Sequence, residues 1–159
     1  MKVVEINEYV TMLKELVTSG KEVNLRVSGG SMTPFLGDKR DMIIISPVKH
    51  PLKRGDMVFY QRASGQYVMH RIHHIDKDGM LHIVGDAQTQ IEHDIAPEQV
   101  WGIVTKVIRK GKLIDEKNFW WWFFEKIWIR MVPVRGVLMT VYRWGTGTAK
   151  RSQDPDTNE

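Results

Sequence analysis

The sequence predicts a mainly β domain of about one hundred residues, entered through an amphipathic helix and followed by an aromatic-rich helical segment. Three observations point there. Apolar residues recur at helical spacing near the N-terminus. The period changes to two from Val23 onward. A third stretch, Phe119 to Trp144, holds five of the six tryptophans.

In the first stretch, Ile6, Val10, Leu13 and Val17 share one helical face with Leu16 beside them, and Gly20 offers a stop. Glu5, Glu8, Lys14 and Glu15 interrupt its apolar residues, so no secretory leader is expected there. Val23, Leu25 and Val27 then alternate with Asn24 and Arg26, as a half-buried strand requires. Further strands are expected over 42–45, 57–60 (after the turn signal KRGD), 66–75 and 80–84 about the turn DKDG, and 100–109 leading into RKGK. The resulting organisation is a helix over 1–20, a β domain over 21–117, an aromatic segment over 118–145 and a polar tail over 146–159, expected to be disordered.

A bilayer span needs about 20 apolar residues with few charges. In 119–144, Glu125, Lys126, Arg130, Arg135 and Arg143 interrupt the run and Pro133 splits it. On a continuous helix Trp120, Phe123, Phe124, Ile127, Trp128 and Met131 would share one arc, opposite Lys126 and Arg130. Tryptophan with basic residues suits the headgroup boundary, so Phe119 to Trp144 is expected to meet a membrane surface; packing on the β domain or in an oligomer interface is the alternative.

The chain of 159 residues has no cysteine, which excludes disulfides and thiolate metal sites. Its net charge of +4 is mild, and Lys and Arg are scattered, so nucleic acid is not expected as a partner.

The chemistry-bearing residues start with Ser28-Gly29-Gly30-Ser31-Met32-Thr33-Pro34. Two glycines followed by a serine and a proline form a stiff, open turn with a hydroxyl near its apex. A serine hydroxyl needs a base. In Tyr67 to His74, alternation sets His70 between Val68 and Ile72 on one face. Apolar neighbours would hold that imidazole neutral, as a general base must be. His70, His74 and His82 form a competing constellation that three imidazoles could turn into a zinc site.

Four blocks in order resemble type I signal peptidases, the membrane serine endopeptidases that remove leader peptides. They are Ser31 to Leu36, Arg54 to Phe59, Val68 to Ile72, and Gly85 to Gln88 with Trp101 to Val104 beyond. The resemblance covers roughly residues 25 to 108. It implies Ser31 as nucleophile and His70 as general base, a histidine as in the endoplasmic-reticulum and archaeal type where most bacterial members carry lysine. It also implies that Asp86 orients the imidazole or holds local structure. Gly29 and Gly30 would shape the turn and its oxyanion donors, and Met32 and Pro34 would border the bound peptide. No metal or cofactor is implied. The partner implied is a leader or signal peptide, added to an exposed strand edge and cut after a small residue.

The chain departs from that pattern at Gly29, where a hydroxyl residue is usual, and at Ala87, where asparagine is usual. The Ser31 N–H would then carry more of the oxyanion role. An N-terminal span is also usual, and here the membrane candidate is C-terminal. A self-cleaving domain of the SOS-repressor type shares the fold but uses lysine and a DNA-binding domain. A non-catalytic peptide- or membrane-binding module is the third reading.

Overall fold

The computed structural model describes residues 3–146; the tail expected to be disordered lies, but for Thr146, outside the described residues. Helix α1 (Val3–Thr18) ends where Gly20 takes φ +98° and the Lys21 N–H returns to the Leu16 carbonyl. The strands are β1 (Val23–Arg26), β2 (Met42–Ser46), β3 (Met57–Gln61), β4 (Tyr67–Ile75), β5 (Leu81–Val84), β6 (Glu92–Ile95), β7 (Val100–Arg109) and β8 (Lys112–Ile114). All ladders are antiparallel in the order β1-β2-β7-β3-β4-β5-β6, with β8 also on β7. The mainly β class stands, with two strands, β6 and β8, beyond the six expected.

The sheet is buried on both faces at its centre. Met57 and Phe59 of β3 point into a core with Leu13 and Val17 of α1. Val58 and Tyr60, alternating with them, enter a second core with Ile72, Ile83 and Ile103. Both sides of β3 are therefore dry, and the strand reads as one apolar run.

The C-terminal segment is three pieces rather than one helix. Helix α2 (Phe119–Lys126) starts at Asn118, whose side chain accepts from the Trp120 N–H. A 3-10 turn (Trp128–Met131) follows, then α3 (Val132–Thr146), with Pro133 in its first turn where a missing N–H costs nothing. This break corrects the expected apolar arc. Trp121, Phe124 and Trp128 are buried, and Phe119, Trp120, Trp122 and Ile127 face outward. Phe35 packs edge-on against Trp121 and at 4.9 Å from Phe124. No helix among the described residues is long and apolar enough to cross a membrane.

Candidate active site

The Ser31 turn joins β1 to β2. Its shape follows from what anchors it. Gly29 lies at φ +89°, a left-handed conformation that a Cβ disfavours, and its N–H donates to Asp38 at 2.9 Å. Met32, Phe35 and Leu36 are core residues, at most 1% exposed. Asp41, fully buried, accepts from the Gly37 and Lys110 N–H groups and from Arg40. A turn tethered at both ends and nailed by three apolar side chains holds Ser31 half-buried at its apex. Met32, expected beside the bound peptide, is thus corrected to an anchor. Pro34 follows a cis peptide bond and lines an open groove of about 320 Å³ with Gly30, Ala87, Met139 and Tyr142.

Ser31 abuts the loop after β5. Its carbonyl accepts from the Ala87 N–H at 2.8 Å, and a Cβ on Gly85 would sit 2.6 Å from the same oxygen. Only glycine fits there. Among the described residues the Ser31 hydroxyl makes no hydrogen bond, and the Gly30, Ser31 and Met32 N–H groups have no protein acceptor. Those N–H groups are available to a developing oxyanion, whereas the Gly29 N–H is spent on Asp38.

His70 lies on β4 opposite Val58 and is 5% exposed. With Arg62, Ile83, Ala87 and Glu92 it lines an open groove of about 610 Å³. Ala87 lines both grooves, and its N–H is the one that bonds the Ser31 carbonyl; Ser31 itself lines neither. No hydrogen bond joins the hydroxyl to the imidazole. Catalytic contacts often tighten only when substrate arrives.

Residues that the sequence did not single out hold the imidazole. The Tyr60 hydroxyl donates to Glu92 Oε2 at 2.7 Å and meets His70 Nδ1 at 3.4 Å. Its one proton is spent on the carboxylate, so it faces His70 as an acceptor. That favours the tautomer with hydrogen on Nδ1 and leaves the Nε2 lone pair free. Arg62 clamps Glu92 through Nε and Nη2. Burial pulls the Glu92 carboxyl upward, but the hydrogen bonds from Arg62 and Tyr60 outweigh it and leave it below its ordinary range. Burial, reinforced by the nearby Arg62 charge, lowers the His70 pKa from 6.5 to about 4. The imidazole is therefore neutral near pH 7.

That shift has a stability consequence. As pH falls from 6.5 towards 4, the unfolded chain takes up a proton on His70 that the folded chain refuses. Stability is lost across that window, by about 3 kcal/mol in total at about 1.36 kcal/mol per unit. His70→Asn should flatten the slope of urea-unfolding free energy against pH between 4 and 6.5. An unchanged slope would place the protonation elsewhere.

Asp86 is brought to Arg71, not to the imidazole. Nε and Nη2 of Arg71 each donate to it at 2.9 Å, and Nη1 donates to the Gly55 carbonyl. Asp86 is fully buried and Arg71 is 1% exposed. Of the two roles implied for Asp86, this geometry serves the structural one. It ties the strand bearing His70 to the loop whose Ala87 N–H seats Ser31.

The C-terminal segment holds the same loop from the other side. Trp128 Nε1 donates to the Asp86 carbonyl, and Arg135 Nη1 donates to the Gly85 and Gln88 carbonyls, all near 2.9 Å. Arg135 is fully buried. Sequence alone placed this residue in a membrane or interface segment, and nothing local marks it as a clamp.

Residues 1–108 match the family model described as Peptidase S24-like. No curated protein and no solved structure matches the chain.

Proposed function

Because the chain belongs to the Peptidase S24-like family, we propose that it is a serine endopeptidase with a Ser31–His70 dyad, and that its substrate is a leader or signal peptide cut after a small residue. The observation that carries this reading is the meeting of the Ser31 turn and the His70 groove at Ala87. His70 Nε2 takes the Ser31 proton as Oγ attacks the scissile carbonyl. The Ser31 N–H receives the oxyanion. The imidazolium, its Nδ1–H resting on Tyr60, returns the proton to the leaving amine, and water then releases the acyl group.

A place for the substrate strand supports the reading. β5 pairs with β4 only from Arg71 to Ile75, so Tyr67 to His70 have a ladder neighbour on one side alone. An extended peptide can add to that edge next to the base.

The test is incubation of the untagged protein with a leader peptide and, separately, with a fluorophosphonate. Cleavage and labelling are expected, with an acid limb near pH 4 set by His70. Neither occurring would sink the reading. The family match also favours a second reading, cleavage of the chain's own backbone as in SOS repressors. A fall in intact mass with no cleavage of added peptide would select it.

The outer surface of α2 and α3 supports contact with a membrane surface. Phe119, Trp120, Trp122, Val137, Val141 and Trp144 are exposed beside Arg130 and Arg143. Vesicles containing phosphatidylglycerol should blue-shift the tryptophan emission. The combined Phe119→Ser, Trp120→Ser and Trp122→Ser protein should bind them at least about tenfold more weakly. Equal binding would assign these side chains to another partner.

A further inference from the structure

At the end of the sheet away from Ala87, three strands bring histidine and aspartate together. The His74 and His82 rings stack at 4.1 Å. His82 Nδ1 meets His93 Nδ1 at 2.7 Å, and His82 Nε2 lies 3.2 Å from Asp76 Oδ2. Ligand atoms of Asp76, His82 and Asp94 all fall within 4.8 Å of one another.

Two bulges build this cluster. On one side of His82, β4 carries an extra residue between Ile72 and His74. On the other, β6 spends three steps from Glu92 to Ile95 while β5 spends two from Ile83 to Leu81. Each bulge re-aims side chains at its site. The second one includes Asp94 at φ +60°, a conformation that is unfavourable for a residue with a Cβ although aspartate tolerates it better than most. The first also interrupts the alternation that would have put His74 with His70. His70 lines the groove beside Ala87 and takes no part here.

From this geometry we infer a divalent transition-metal site, suited to zinc, made by Asp76, His82 and Asp94. Imidazole nitrogen with carboxylate oxygen is a ligand set for borderline metals. Ligands at about 2.1 Å from one ion stand about 3.0 to 3.4 Å apart in octahedral to tetrahedral geometry, and the His82–Asp76 separation of 3.2 Å falls in that range. Two carboxylates converging on one imidazole repel each other, and a dication between them reverses the sign of that interaction. His93 is the positioning residue. With Nε2 of His82 on the metal, Nδ1–H of His82 donates to His93 Nδ1 and fixes the ring. The site stands apart from Ser31 and does not depend on the peptidase reading.

The test uses untagged protein, stripped with a chelator and titrated with zinc chloride in a calorimeter. One site per chain is expected. Asp76→Asn keeps the oxygen that accepts the Asp78 and Met80 N–H groups, and Asp94→Asn suits a left-handed backbone, so the double variant should stay folded. It should bind at least about tenfold more weakly, as should His82→Asn, and His93→Gln should lose about tenfold through misorientation of His82. Ser31→Ala should bind as wild type does. No binding at millimolar zinc, or equal affinity in the double aspartate variant, would overturn the assignment.

Discussion

Replacing Ser31 with alanine is expected to lower leader-peptide cleavage by about ten-thousandfold or more and to abolish fluorophosphonate labelling. The fold should not notice. The hydroxyl has no hydrogen-bond partner among the described residues, and the side chain is half-buried at a turn held by its neighbours. Its removal should therefore change the urea-unfolding free energy by no more than about 0.5 kcal/mol. Tyr60→Phe supplies the graded contrast. It deletes the acceptor facing His70 Nδ1, so the imidazole loses its tautomer preference while groove and nucleophile stay in place. A fall in kcat of about tenfold or more at unchanged KM is expected. Turnover retained by Ser31→Ala would remove Ser31 from the chemistry, and equal losses in kcat and folding stability for Tyr60→Phe would make the tyrosine a core residue only.

Asp86→Asn should be the most destabilising of the polar substitutions, at about 3–5 kcal/mol. The carboxylate is fully buried and meets two guanidinium nitrogens at 2.9 Å. Removing its charge strands Arg71 in a dry site between Phe35 and the Gly55 carbonyl. Replacing both partners, Arg71→Met with Asp86→Ala, should recover part of the loss, because no isolated charge remains. Urea unfolding of the two variants beside the wild type measures this. A loss below about 1 kcal/mol for Asp86→Asn would mean that the pair is not what holds the loop. A shift of the acid limb with stability intact would instead return Asp86 to the imidazole-orienting role.

What could be read from the chain was what is local. Ser31 between glycines and a proline, and His70 between valine and isoleucine, each carry their signal within a few residues; in the structure the Ser31 carbonyl bonds Ala87, and His70 lines a groove that Ala87 also lines. The strands with clean alternation were legible for the same reason. β6 was not, since Glu92-His93-Asp94-Ile95 has neither alternation nor a favoured backbone at Asp94. The support of the His70 ring was invisible too. Tyr60 and Glu92 lie 32 positions apart, and only the register from β3 through β4 and β5 to β6 brings them to one groove. Met32 is set beside the bound peptide only by the resemblance of its block, with no signal of its own in the residues around it. Its own side chain points the other way, into the core. In 119–131, apolar residues surround the helix, so periodicity could not say which side was inward; contact with Phe35 decides it.

The hold of Arg135 on the Gly85 and Gln88 carbonyls sets an order of completion during synthesis. A nascent chain that has left the ribosome only as far as the last strand already owns its hydroxyl and its imidazole. The carbonyls that Arg135 will claim still face solvent. On the proposed reading, a chain stalled before the final helix would carry Ser31 and His70 with the loop that seats Ser31 still unclamped.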